Sequence, residues 1–144
     1  MAIADSRPLS LVHVLSNRIG RAFYSEVEAR FGVTISEWRI LLTIQAEPGI
    51  SAAEITNLWA MEKMAVNRGI KRLFADGYVK RSRDPRDGRS FRLSLTAKGE
   101  KLYETILPTA NARYRELMSV LTDEESAAMV SALNKVIAKA ETLS

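Results

Sequence analysis

The chain has 144 residues, 47% of them hydrophobic and 26% charged, with a formal net charge of +4. That is the composition of one ordinary globular domain with enough apolar side chains to bury a core. With no cysteine and His13 as its one histidine, the chain has no means for disulfides or thiolate chemistry and few ligands for a metal, so no metal and no cofactor is expected.

No apolar run comes near the roughly 18 residues of a membrane span, and the start, MAIADSRPLSLVHV, lacks the basic and long apolar regions of a signal peptide. A cytoplasmic protein without membrane association is expected. After a loose start through Pro8, residues 9–31 carry Leu11, Leu15, Ile19, Ala22, Phe23 and Val27 as one apolar stripe of a long helix. Gly32 stops it. Thr34 with Glu37 three residues on is a capping box that opens a second helix, rich in Trp38, Leu41, Leu42 and Ile44, through about Gln45. Glu47-Pro48-Gly49 ends that helix by turn chemistry.

Ser51 and Glu54 form a second capping box and begin a helix of barely two turns near Trp59, with Ala52, Ala53, Ile55 and Leu58 as its packed side. The next stretch, Met61–Asp76, organises the rest of the chain. Val66, Ile70, Leu73 and Phe74 fall at helical spacing and should face the core, leaving Lys63, Asn67, Arg68, Lys71 and Arg72 outward. A short helix joined tightly to a basic one is a helix-turn-helix, and exposed Arg and Asn suit base edges in a major groove. The connection Trp59-Ala60-Met61 offers neither a glycine nor a good N-cap. Gly69, inside the helix, costs about 1 kcal/mol relative to Ala, so it should permit a close approach to DNA or to a packed neighbour.

Asp76-Gly77 closes the basic helix. Residues 78–81 and 90–95 then read as strands, the second with Phe91, Leu93 and Leu95 inward, around the basic loop Ser82–Arg89. A two-stranded hairpin is marginal alone, so it must lean on the helices with its tip projecting, where arginine suits a narrow minor groove. Between Glu62 and Arg92 ten basic residues face four acidic ones, a net of +6 that leaves the remainder of the chain at −2. The positive charge lies where a polyanion would be held.

From Thr96 the helical period returns with Leu102, Ile106, Leu117, Val120 and Leu121, and Pro108 should kink or split that helix. Thr122 with Glu125 caps a last helix carrying Met129, Val130, Leu133, Val136, Ile137 and Ala140. The stripes at both chain ends exceed what a small winged domain needs, so they imply either a larger monomeric core or dimerisation.

In order of elements and in motifs the whole chain resembles the MarR family of winged helix-turn-helix regulators. Thr34–Leu41 is similar to the family's second-helix opening. Asp84-Pro85-Arg86-Asp87-Gly88-Arg89, followed by Leu95-Thr96-Ala97-Lys98-Gly99, is similar to its wing and return to helix. The resemblance implies a mainly α fold with a small β-hairpin wing over residues 1–144, in which 9–31 and 100–144 dimerise and 34–96 form the DNA-binding lobe. It implies a homodimer on a pseudo-palindromic double-stranded operator, contacted by Lys63, Met64, Ala65, Asn67, Arg68, Lys71 and Arg72 and by wing residues Arg86, Asp87 and Arg89, with Asp87 bracing Arg89. Many members carry Ser or Thr where Met64, Ala65 and Asn67 stand, so the operator is this chain's own.

The resemblance also implies control by a small anionic or aromatic effector, and His13, Arg21, Trp38 and Arg39 are the polar or aromatic residues expected to line its crevice. An arginine beside a tryptophan suits a planar carboxylate. Arg39 could instead pair with Glu26, Glu28 or Glu37. A repressor is the leading reading, and an architectural or protein-interaction module on the same fold is the alternative. With one His, no Cys and no glycine-rich phosphate loop, little remains for an enzyme to work with.

Overall fold

A computed structural model describes residues 7–144, so the start of the expected loose segment lies outside the described residues, and helix α1 (Arg7–Phe23) already includes Pro8 in its first turn. A π-helical segment, Tyr24–Glu28, and a short α2 (Ala29–Phe31) follow before Gly32, at φ 70°, ends the run. One uniform helix was expected here. Its stripe repeats every four residues at Leu11, Leu15, Ile19, Phe23 and Val27, longer than the α-helical 3.6, and a wider π turn returns such a stripe to one face. Phe23 and Val27 are buried, whereas Leu11 and Leu15 are exposed.

Helix α3 (Ile35–Ala46) is the centre of the core, with Trp38, Ile40, Leu41 and Ile44 fully buried. Its capping box is complete: Glu37 N–H donates to Thr34 Oγ1 at 3.1 Å and Thr34 N–H to Glu37 Oε1 at 3.0 Å. Helix α4 (Ala52–Trp59) has the same box from Ser51 and Glu54 but buries only Ile55, while Leu58 is two-thirds exposed. Trp59 Nε1 donates to Thr43 Oγ1 at 2.7 Å and so ties the end of α4 to α3. Ala60, at φ 50° and ψ 37°, takes the left-handed conformation in which a glycine would be expected.

Helix α5 runs Lys63–Ala75, two residues later at its start than its sequence suggests, because Glu62 at the cap is extended and offers no side-chain bond. Val66, Ile70 and Leu73 are buried as expected, but Phe74 is 43% exposed. Gly69 is explained by a packed neighbour: a Cβ there would stand 2.6 Å from Ile40 Cδ1, so a larger residue would have to push that methyl aside. After Gly77, strands β1 (Val79–Arg83) and β2 (Phe91–Leu95) pair antiparallel with Val79 opposite Leu95 and Arg81 opposite Leu93. Leu93 is also held on the other edge, donating to Ile50 O at 3.0 Å and accepting from Gly49 N–H at 2.7 Å, which is how the hairpin leans on the turn before α4.

Helix α6 (Ala97–Met118) starts against this sheet. A Cβ on Gly99 would lie 2.0 Å from the Tyr78 carbonyl oxygen, so only glycine fits the return to helix. Pro108 neither splits nor stops α6, which is continuous through it. The chain forms two compact units divided between Thr109 and Ala110. In the second, Thr122 caps α7 (Asp123–Glu141), which buries no residue and leaves Val130, Val136 and Ile137 exposed. Among the described residues no helix is long and apolar enough to cross a membrane.

Candidate nucleic-acid interface

The exposed side of α5 presents Lys63, Met64, Asn67, Arg68 and Lys71, with Ala65 half-buried between them. Met64 is 71% exposed, which places a large apolar side chain where a thymine methyl could meet it. Two hollows flank the helix. One, about 310 Å³, is lined by Ala65, Arg68 and Gly69 together with Thr34 and Ser36 from the start of α3. The other, about 650 Å³, lies between α5 and the wing and takes in Lys63, Asn67, Lys71, Arg81 and Arg89. Among the described residues Lys63, Arg68, Lys71 and Arg89 form no ion pair, so their charge is uncompensated on this face.

Arg72 departs from the expected outward set. Its guanidinium donates to both oxygens of Glu37, 2.7 Å to Oε2, and to the Gly32 carbonyl oxygen at 2.6 Å, with Asp76 at 3.7 Å from Nε. Glu37 is buried, and its carboxylate must be neutralised by a cation within reach. Arg72 therefore braces α5 against the α2–α3 connection instead of presenting a free charge. The i, i+4 relation to Arg68 gave no warning, since the acid that captures Arg72 lies 35 positions away.

The wing loop is built by two Asx turns. Asp84 Oδ1 accepts from Arg86 N–H at 2.8 Å, and Asp87 Oδ1 accepts from Arg89 N–H at 3.0 Å. Asp87 thus braces Arg89 through its backbone and leaves the guanidinium projecting, while Asp84 also lies 3.6 Å from Arg92. The four expected effector residues sit in different local settings. Trp38 is fully buried and stacks on Tyr103 with centroids 5.5 Å apart, and Arg39 lies over the ring of Trp59 at 5.3 Å. Among the described residues Arg39 forms no ion pair with Glu37, which Arg72 takes instead. His13 and Arg21 are exposed on α1. Among the described residues the buried Trp38 Nε1–H has no hydrogen-bond acceptor.

Arg81 was not singled out by its sequence. Its guanidinium carbon sits 4.5 Å from the Phe74 ring centroid and 4.8 Å from that of Phe91. The available signal was strand alternation: Arg81 shares a face with Val79 and lies opposite Leu93, an inward register for a charged residue.

Known proteins place these features together. A profile described as the MarR family matches residues 31–90. The HTH-type transcriptional repressor Rv2887 of Mycobacterium tuberculosis is 32% identical over 119 residues, covering 78% of this chain and 84% of that protein. A mutant MarR from E. coli, solved in complex with operator DNA, has a TM-score of 0.79 at 24% identity over 94% of this chain and 99% of that one. The PcaV transcriptional regulator from Streptomyces coelicolor, solved with its natural ligand, has a TM-score of 0.84 at 20% identity over 97% and 98% of the two chains. At these identities the two structures speak for the fold. The fold, the profile and the repressor's likeness agree: the chain belongs to the MarR family of winged helix-turn-helix transcription regulators.

Proposed function

We propose that the protein is a cytoplasmic, homodimeric, sequence-specific repressor that binds a pseudo-palindromic operator. In this reading one α5 enters a major groove in each half-site, and the wings hold the adjacent minor grooves through Arg86 and Arg89. The observation that carries it is the run of unpaired cations, Lys63, Arg68, Lys71 and Arg89, across α5 and the wing. Residues 9–31 and 100–144 would form the dimer, which agrees with the exposed Leu11 and Leu15 on α1 and Val130, Val136 and Ile137 on α7. Repression follows the named activity of the Mycobacterium tuberculosis relative, and operator DNA is what the E. coli neighbour holds.

Release would come from a small anionic aromatic ligand; that a ligand acts on this fold is suggested by the PcaV neighbour, solved with its natural ligand. Without cysteine, thiol oxidation is no route to release. Trp38 would serve such a ligand through its unsatisfied Nε1–H, and binding would then have to open the Trp38–Tyr103 stack, with Arg21 or His13 supplying positive charge. The test is footprinting on the DNA upstream of the protein's own gene, then release against a panel of aromatic acids with peroxide as control. Protection without sequence preference would refute the repressor, and release by peroxide but by no acid would refute the effector.

A further inference from the structure

Phe74 and Phe91 are 43% and 37% exposed although both occupy positions whose spacing points to the core. Full burial of such a ring contributes about 2 kcal/mol, so leaving two partly in water needs a reason. The rings come from α5 and β2, and the group between them is the Arg81 guanidinium of β1, at 4.5 and 4.8 Å. A guanidinium in contact with aromatic faces is held by its own faces and keeps its N–H fork in the plane between them. Among the described residues the Arg81 guanidinium forms no hydrogen bond or ion pair, so that fork is unfilled. Arg81 lines the 650 Å³ cleft together with Lys63, Lys71 and Arg89, and no carboxylate is among the described residues that line it.

An arginine kept for stability usually has an acid beside it. This one has two rings against it, at 4.5 and 4.8 Å, and three cations that share its cleft, the arrangement of a preorganised anion receptor. We propose that Arg81 takes a backbone phosphate of the operator bidentately, within the cleft between α5 and the wing. The inference rests on the DNA-binding reading. Because the clasp joins three elements, that one phosphate would fix the base-reading helix and the wing against the same step of the duplex.

The experiment is operator titration by the full-length protein at several salt concentrations between roughly 50 and 200 mM, comparing the unmodified chain with Arg81→Gln and Arg81→Lys. Each phosphate contact adds about 0.9 to the slope of log affinity against log salt, so losing one per protomer lowers the slope of a dimer by about 1.8. The affinity deficit of Arg81→Gln should therefore shrink about 12-fold across that fourfold range. Arg81→Lys, which keeps the charge and loses the fork, should bind more weakly with the slope retained. Thermal unfolding of both variants checks that the wing is intact. A weakened Arg81→Gln with the unmodified slope would make Arg81 a wing brace and overturn the proposal alone, whereas absence of salt-dependent binding by the unmodified chain would overturn the DNA-binding reading and this one with it.

Discussion

Glu37 and Arg72 form an ion pair between the first turn of α3 and the last turn of α5, and the Gly32 carbonyl completes the guanidinium's partners. The same carboxylate caps α3 through Thr34. One buried acid thus starts the central core helix and anchors α5 to it through a contact between residues 35 positions apart in sequence.

Arg72→Ala should destabilise the protein by about 3 kcal/mol, because it leaves the Glu37 carboxylate buried with only a backbone donor. Arg68→Ala, one turn away with no ion-pair partner among the described residues, should stay within about 0.5 kcal/mol. Urea unfolding of the two variants separates them, and equal stabilities would remove the brace.

For DNA the order should invert at Arg68. Arg68→Ala should lose roughly 1–3 kcal/mol of operator affinity and relax preference at one base pair in each half-site. Arg89→Ala should weaken binding to every operator sharing a narrow groove at the wing. Unchanged affinity for Arg89→Ala at physiological salt would defeat the wing contact.

Gly69 and Gly99 should respond differently to alanine. Gly99→Ala drives a Cβ into the Tyr78 carbonyl oxygen, rigid backbone in the sheet, and should cost more than the roughly 1–3 kcal/mol typical of overpacking. Gly69→Ala meets the Ile40 Cδ1 methyl, the far end of a side chain that must shift within the buried core, so its overpacking cost should be partly offset by the roughly 1 kcal/mol of helix propensity that Ala gains. Melting temperatures falling in the order unmodified, Gly69→Ala, Gly99→Ala are expected.

Ala60 carries the turn of the helix-turn-helix at φ 50°. Ala60→Gly should relieve a left-handed penalty of about 1–2 kcal/mol, less about 0.5–1 for the freer unfolded chain, and so raise stability slightly. A lower midpoint in denaturant would argue against this.

Truncation after Leu121 removes α7 and should leave monomer or aggregate, since Leu117 and the α1 stripe already lie partly open. Sedimentation at micromolar concentration reads the outcome; a full-length protein sedimenting as a monomer would refute dimerisation by the chain ends.

Local chemistry made much of this protein legible from its residues alone. Three capping boxes set the starts of α3, α4 and α7 because both halves of each box lie within four positions. Turn residues and strand alternation did the same for the wing, and clustered charge marked the face for a polyanion. What lay beyond reach depended on groups distant in sequence. Arg72 and Lys71 are adjacent cations on one helix, and only the position of Glu37 separates a brace from a free charge. Arg39 and Trp38 are neighbours in sequence, yet one lies over Trp59 and the other stacks on Tyr103, partners that no local pattern names. Phe74 and Phe91 look like core residues because periodicity registers apolarity and not the guanidinium that α5, β1 and β2 bring between the rings. A helix period states which side of an element turns inward, but which side chain waits there is decided when the elements pack.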